Sequence, residues 1–183
     1  MNKNKLFMLA FVGSEAFFFL ALIISYVYYS HPGGTLASTA KYLDFKKTLI
    51  FTLFLLSSSV TVWIADMNLK KGKRKALVGW LIATIILGSI FLFGQGSEYE
   101  KLLTSNVTVS QNVFGSAFFT LTGFHGIHVI LGLIVLSVLT IIVISRKFES
   151  VESTALESAA IYWHFVDIVW IIVFSVVYIG ALI

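Results

Sequence analysis

Three groups of ionisable side chains lie within long apolar stretches of the sequence, where they could do chemistry. Glu15 stands in the first of these stretches. His125 and His128 are three residues apart in a later stretch, and His164 and Asp167 are three residues apart in the last one. Residues at this spacing lie on one face of a helix. Each pair could therefore hydrogen-bond a common partner, ligate a metal or transfer a proton.

The composition indicates that these residues belong to a membrane protein. Of the 183 residues, 58% are hydrophobic and 12% are charged, and the mean hydropathy is +0.93. Soluble domains carry about 25% charged residues, so a surface with half that density must face lipid. The sequence contains no cysteine, which excludes disulfides, iron–sulfur clusters and zinc–thiolate sites. The net charge of +4 comes from clustered loop lysines, and we expect no nucleic-acid partner.

Five apolar segments reach the length of roughly 20 residues that a helix needs to cross a bilayer. Helices satisfy their own backbone hydrogen bonds in lipid. We therefore predict an all-α fold, an integral membrane bundle of five transmembrane helices in a single domain spanning 1–183. The predicted helices cover residues 6–29, 49–68, 76–95, 114–144 and 159–182.

Lysine and arginine are unevenly divided between the two sides of this predicted bundle. With the N-terminus inside, nine of them fall on the inside and four on the outside. Cytoplasmic loops are enriched in these residues. We therefore predict a cytoplasmic N-terminus and a C-terminus on the outer side.

Glu15 lies about 15 Å into the first helix at 1.5 Å per residue, close to the bilayer midplane. An ionised carboxylate there costs at least about 2.5–3.5 kcal/mol, so we expect it to be neutral or linked by water to a partner. Two interpretations stay open: a protonated packing residue, or a proton-responsive or lipid-linked site. The hydrogen-bonding candidates in the same layer are His125, His128 and nearby hydroxyl groups.

The other intramembrane polar residues fall into two predicted groups. His125, His128 and Asp66 are expected to form a polar network inside the bundle. Metal ligation is disfavoured, because no second His-x-x-His or Glu-x-x-His motif completes a di-metal site. The second group is expected near the membrane interfaces, as an anchoring ion pair or as contacts to lipid or a partner subunit. Its members are His164, Asp167, Trp163, Gln95, Glu98 and Tyr99.

Several stretches of the sequence resemble subunit III of the haem–copper respiratory oxidases, in its short five-helix bacterial form. The motifs are Ser-Glu-Ala-Phe-Phe at 14–18, Gln-Gly-Ser-Glu-Tyr at 95–99, the run 114–129 that contains both His125 and His128, and Tyr-Trp-His-Phe-Val-Asp at 162–167. Many relatives carry Trp-Ala-His-His at the end of the helix that matches the second helix. Asp66 stands there instead, which puts a histidine partner for Glu15 from that helix in doubt.

The resemblance implies an accessory subunit of a proton-pumping oxidase that reduces oxygen to water in the bacterial inner (cytoplasmic) membrane. It implies contacts with the catalytic subunit I, other oxidase subunits and phospholipids. It also implies no catalytic residue, metal or redox centre in this chain, with haem and copper held by partner subunits. The family's buried glutamate corresponds to Glu15, and the role implied is to support lipid binding, proton uptake and stability of the catalytic subunit.

Other functions stay open at this point. Cytochrome c is the implied electron donor, and a quinol oxidase subunit III is the alternative. From another class, two of His125, His128 and His164 could ligate haem in a membrane anchor. A small transporter is disfavoured, because the sequence shows no discontinuous helix or inverted repeat.

Overall fold

The computed structural model describes residues 3–29, 43–108, 113–145 and 150–180, and these ranges form five helices. All five are long and apolar enough to cross a membrane, which confirms the predicted all-α bundle. The last helix continues as a short π-helical turn, Ser175–Ile179. The helices are α1 (Lys3–Tyr29), α2 (Phe45–Lys70), α3 (Arg74–Thr104), α4 (Val113–Ser145) and α5 (Ser150–Phe174).

Two helices extend well beyond the bounds expected from hydropathy. α3 ends at Thr104 instead of residue 95, and α5 begins at Ser150 instead of residue 159. Both extensions carry polar residues, which an apolar window excludes although the helix continues through them. At 1.5 Å per residue α3 is about 46 Å long, so it projects beyond a hydrocarbon core of about 30 Å. The expected end of the last helix, residue 182, lies outside the described residues.

α5 occupies the centre of the bundle. It packs against α1, α2 and α4, while α2 packs along α3 and α3 packs along α4. In the most apolar part of α5, 56% of the residues are buried inside the chain, against 6% for α1. The outward faces of α1 and α4 consist of large apolar side chains, as lipid contact requires.

A tight turn fixes α2 and α3 as antiparallel neighbours. Gly72 has φ +66°, the left-handed conformation that commonly ends a helix, and its N–H donates to the carbonyl of Leu69. Next to it, the Arg74 side chain donates to the backbone carbonyls of Val143 and Ile144, at 2.8 and 2.9 Å. A cation on the last carbonyls of a helix is stabilising. The α2–α3 turn and the end of α4 therefore lie at the same end of the bundle, called here the turn end.

The topology can be tested by cysteine labelling, because the native sequence has no cysteine. In a Ser105→Cys variant, an impermeant thiol reagent added outside intact cells should react with the new thiol at the far end of α3. In a Lys71→Cys variant the thiol should stay unlabelled until the membrane is permeabilised. The reverse pattern would overturn the N-inside orientation. The basic residues Lys41, Arg146 and Lys147, which contribute to that prediction, lie outside the described residues.

Candidate functional site

Glu15 faces His128 across the α1–α4 contact. The Nε2 atom of His128 lies 3.0 Å from a carboxyl oxygen of Glu15, and both side chains are largely buried. The Nδ1 atom of His128 lies 2.7 Å from the carbonyl oxygen of Phe124. A carbonyl oxygen only accepts, so Nδ1 carries a proton. One further proton lies between Nε2 and Glu15, and the pair is therefore neutral overall whichever group holds it.

The pair is closed in on the bundle side by aromatic rings. Phe19 packs edge-on against the His128 ring, with 4.9 Å between ring centroids. The hydroxyl of Tyr162 donates to the backbone carbonyl of His128 at 3.1 Å. The Glu15–His128 contact thus joins α1 to α4, and Tyr162 ties α5 to the same point. The partner of Glu15 comes from α4, whereas Asp66 on α2 forms an ion pair with Lys70 at 2.6 Å.

Substitutions at Glu15 should distinguish the effect of its hydrogen bond to His128 from the effect of the proton that the pair holds. Glu15→Gln keeps a donor toward His128 Nε2, so the bundle should assemble with near-native stability. Glu15→Ala leaves that nitrogen without its partner and should lower the free energy of unfolding by about 1–3 kcal/mol. Unfolding of the purified variants in detergent measures both effects. Infrared difference spectroscopy locates the shared proton: an ionised Glu15 carboxylate beside a neutral His128 at pH 7 would overturn the neutral pair.

His125 points away from this pair. It is fully buried, stacks on Trp170 with 4.7 Å between ring centroids, and meets Phe91 edge-on. Neither ring nitrogen has a hydrogen-bond partner among the described residues. The expected network of His125, His128 and Asp66 is therefore wrong: the three side chains lie apart, because the two histidines face different neighbouring helices and Asp66 bonds within α2.

A polar cluster lies at the end of α3 away from the turn end. Glu98 is buried, and its carboxyl group accepts from the Tyr178 hydroxyl at 2.6 Å and from the Thr48 hydroxyl at 3.1 and 3.2 Å. The backbone N–H of Asp44 donates to the same carboxyl at 3.4 Å. These bonds join α3 to the start of α2 and to the π-helical turn after α5. We call these four residues the Glu98 cluster.

Gln95 and Tyr99 join α3 to α4 beside the Glu98 cluster. The side-chain amide of Gln95 donates to the Thr122 carbonyl at 2.7 Å, and the Tyr99 hydroxyl lies 2.7 Å from the Thr122 hydroxyl. The predicted end of this helix at residue 95, which left Glu98 and Tyr99 beyond it, is therefore wrong. α3 continues through them because their polar groups find partners on neighbouring helices.

The α2–α5 contact carries a row of hydrogen bonds across the bundle. The indole N–H groups of Trp163 and Trp170 each donate to a hydroxyl of α2, Ser58 and Thr52 respectively, both at 2.9 Å. Trp163 is fully buried. It therefore does not offer the contact to lipid or to a partner subunit that was expected of it. The hydroxyl residues of α2 were not singled out by sequence, although Ser57-Ser58-Ser59 is unusual in an apolar helix.

His164 and Asp167 lie on the same side of α5 but do not form the expected ion pair. The Nδ1 atom of His164 lies 2.7 Å from the hydroxyl oxygen of Ser59 on α2. Asp167 is 2% exposed, and its carboxyl oxygens have no hydrogen-bond partner in the described part of the chain.

The described side chains offer no ready metal centre: nowhere in these ranges do three or more His, Asp or Glu residues converge in a way that could hold a metal ion. The polar groups are instead distributed between the helix contacts. What they can do chemically is bond helices to one another and hold protons in a low-dielectric interior.

Comparison with known proteins gives one consistent result. Residues 2–181 match the family model described as cytochrome c oxidase subunit III. The chain is 35% identical to "Cytochrome c oxidase subunit 3" of Corynebacterium diphtheriae over 173 residues, which cover 93% of this chain and 84% of that protein. It is 39% identical to the protein of the same name in the fish Oncorhynchus clarkii over 178 residues, covering 93% and 67% of the two chains. The chain therefore belongs to the cytochrome c oxidase subunit III family, whose members are accessory subunits of haem–copper oxidases and hold no redox centre themselves.

Proposed function

We propose that this chain binds beside the catalytic subunit I of a cytochrome c oxidase in a bacterial inner membrane and supports its turnover and stability. The observation that carries the proposal is the family match over residues 2–181. The five helices that can span a membrane agree with it. Relatives from bacteria and fish are named as subunits of cytochrome c oxidase, so a quinol oxidase is not favoured. Haem and copper belong to the partner subunits in this proposal.

Phospholipid is the second proposed partner. A groove of about 360 Å³ lies between the second half of α1 and the first half of α4. Its walls combine apolar side chains such as Leu22 and Leu121 with the hydroxyl residues Ser25, Tyr29 and Thr120. Such a mixture suits a lipid whose headgroup accepts hydrogen bonds while its acyl chains lie against apolar helix faces.

The proposed role of Glu15 follows from its pairing with His128. The pair holds one mobile proton in the interior of the membrane, where an isolated charge would have a high free-energy cost. A proton-responsive group in an accessory subunit can influence how the catalytic subunit takes up protons during turnover. The geometry supports this role. The Nε2 atom of His128 lies 3.0 Å from the Glu15 carboxyl group, and the Nδ1 atom of the same ring is fixed by the Phe124 carbonyl.

Affinity purification of the tagged chain from its own membranes tests the assembly. The chain should bring down a haem- and copper-containing complex, while the chain separated from it should show no Soret band. A chain that binds haem after separation would support the membrane-anchor alternative instead.

A further inference from the structure

A cavity of about 310 Å³ opens between α2 and α5 toward the turn end of the bundle, away from both Glu15 and the Glu98 cluster. Four of its seven lining residues are ionisable, and the others are apolar or aromatic. A cavity of this size with several polar groups can hold water. The lining residues are Trp63, Asp66, Lys70, Glu157, Ala160, Ile161 and His164.

His164 connects this cavity to the interior of the α2–α5 contact. Its ring lines the cavity, while its Nδ1 atom lies 2.7 Å from the hydroxyl oxygen of Ser59. Its Nε2 atom makes no hydrogen bond within the described ranges and is not enclosed. An imidazole can take up a proton at one nitrogen and release another from the second. His164 is placed to do so between cavity water and Ser59.

Asp167 lies one helical turn further along α5 than His164, on the same side of that helix. It is about 20 Å from Thr154, where the membrane-spanning part of α5 begins, at 1.5 Å per residue. No described lysine, arginine or histidine forms an ion pair with it, and its carboxyl oxygens have no hydrogen-bond partner there. A buried carboxyl group without a partner avoids the cost of its charge by holding a proton.

We propose that Asp167 is a buried proton-exchange site, which is loaded from the α2–α5 cavity through His164 and Ser59. Cavity water gives a proton to Nε2 of His164, and the proton on Nδ1 passes to the hydroxyl oxygen of Ser59. As the Ser59 oxygen accepts this proton, it releases its own hydroxyl proton to the Asp167 carboxylate, and rotation of the hydroxyl about its Cβ–Oγ bond resets the relay. Only protons move, and every group returns to its starting bonds when the sequence runs backward.

Charged groups lie at the cavity end of the path. Asp66 acts on His164 from α2, and Lys70 and Glu157 stand with it at the cavity. Burial of the His164 ring opposes the protonated imidazole that the first step creates, and the carboxylate of Asp66 partly offsets this cost. The ionisable groups that face α5 from the other helices lie elsewhere: Glu15 on α1, Glu98 on α3, and His125 and His128 on α4.

Hydrogen–deuterium exchange followed by infrared spectroscopy of the purified complex tests this path. The carboxylic C=O band that disappears in Asp167→Asn identifies the Asp167 proton. In the native chain this band should shift soon after transfer to deuterated buffer. In Ser59→Ala its exchange should be slower by about 10²-fold, the lower end of what one positioned proton-transfer group contributes. His164→Gln should slow it as well, and Ser59→Thr, which keeps the hydroxyl, should restore it.

Ser57→Ala is the matched control, because Ser57 is an exposed serine of the same helix whose hydroxyl bonds only to the Leu53 carbonyl. Its exchange should equal that of the native chain. The proposal is overturned if no Asp167-dependent carboxylic band exists, or if Ser59→Ala exchanges at the native rate. The measurement follows one side chain and can be made on any complex in which the chain purifies. Failure of the proposed oxidase assembly would therefore be recognised separately.

Discussion

Replacing Trp163 by alanine should lower the free energy of unfolding by about 3–5 kcal/mol, as for other large aromatic side chains removed from a core. The ring is fully buried and lies against Gly88 of α3 and Gly132 of α4. Its indole N–H donates to the hydroxyl of Ser58 on α2. One side chain of α5 thus contacts three other helices, and its loss leaves a cavity that none of them can fill alone.

Chemical denaturation of the detergent-purified subunit, followed by circular dichroism, measures this effect. Trp63→Ala is the matched control, since Trp63 is 55% exposed on α2, and its change should stay within about 0.5 kcal/mol. Gly132→Ala should also destabilise, by about 1–3 kcal/mol, because a Cβ atom there would lie 2.8 Å from the Trp163 ring. A loss below 1 kcal/mol for Trp163→Ala would contradict the central position of this residue.

Replacing Glu98 by alanine should have the second largest effect. The Tyr178 hydroxyl would then be buried without an acceptor, at a cost of about 1–3 kcal/mol, and the Asp44 N–H would lose its bond as well. Thr48 keeps an alternative, because its hydroxyl also donates to the Asp44 carbonyl at 3.0 Å. The end of α5 should therefore loosen first, since Tyr178 lies in the π-helical turn that follows that helix.

A double-mutant cycle isolates this interaction. Tyr178→Phe in the Glu98→Ala background removes the stranded hydroxyl and should recover part of the lost stability. Glu100→Ala, an exposed carboxylate two residues away, is the control and should change stability by no more than about 0.5 kcal/mol. Equal effects of Glu98→Ala and Glu100→Ala would show that the Glu98 cluster does not hold the three helices together.

The number and type of the helices follow from the sequence because a bilayer imposes a length on each apolar segment. The helix ends do not follow, since a hydropathy window stops at Gln95 although α3 continues to Thr104. Whether a polar residue ends a helix or is buried within it depends on partners far away in the chain. Glu98 is buried because Thr48 and Tyr178 face it, and neither proximity is visible in a single sequence.

In the candidate site, too, some features follow from the sequence and others depend on how the helices pack. The depth of Glu15 and the family motifs single it out, and His128 was among its expected neighbours, but only the packing of α1 on α4 selects it over His125. The pairing of His164 with Ser59 was not foreseen, because their spacing along the chain exceeds one hundred residues. The spacing of three residues along α5 suggests a pair of His164 and Asp167, whereas in the structure His164 bonds to Ser59 on α2.

The most direct test of the proposed function is the metal content and turnover of the oxidase purified from a strain that lacks this chain. An accessory subunit without a redox centre predicts that haem and copper stay at the stoichiometry of the native complex. Initial oxygen reduction should remain measurable, and the loss should appear as earlier inactivation during turnover. Stoichiometric loss of a haem or a copper from that complex, restored when the chain is expressed again, would contradict the account.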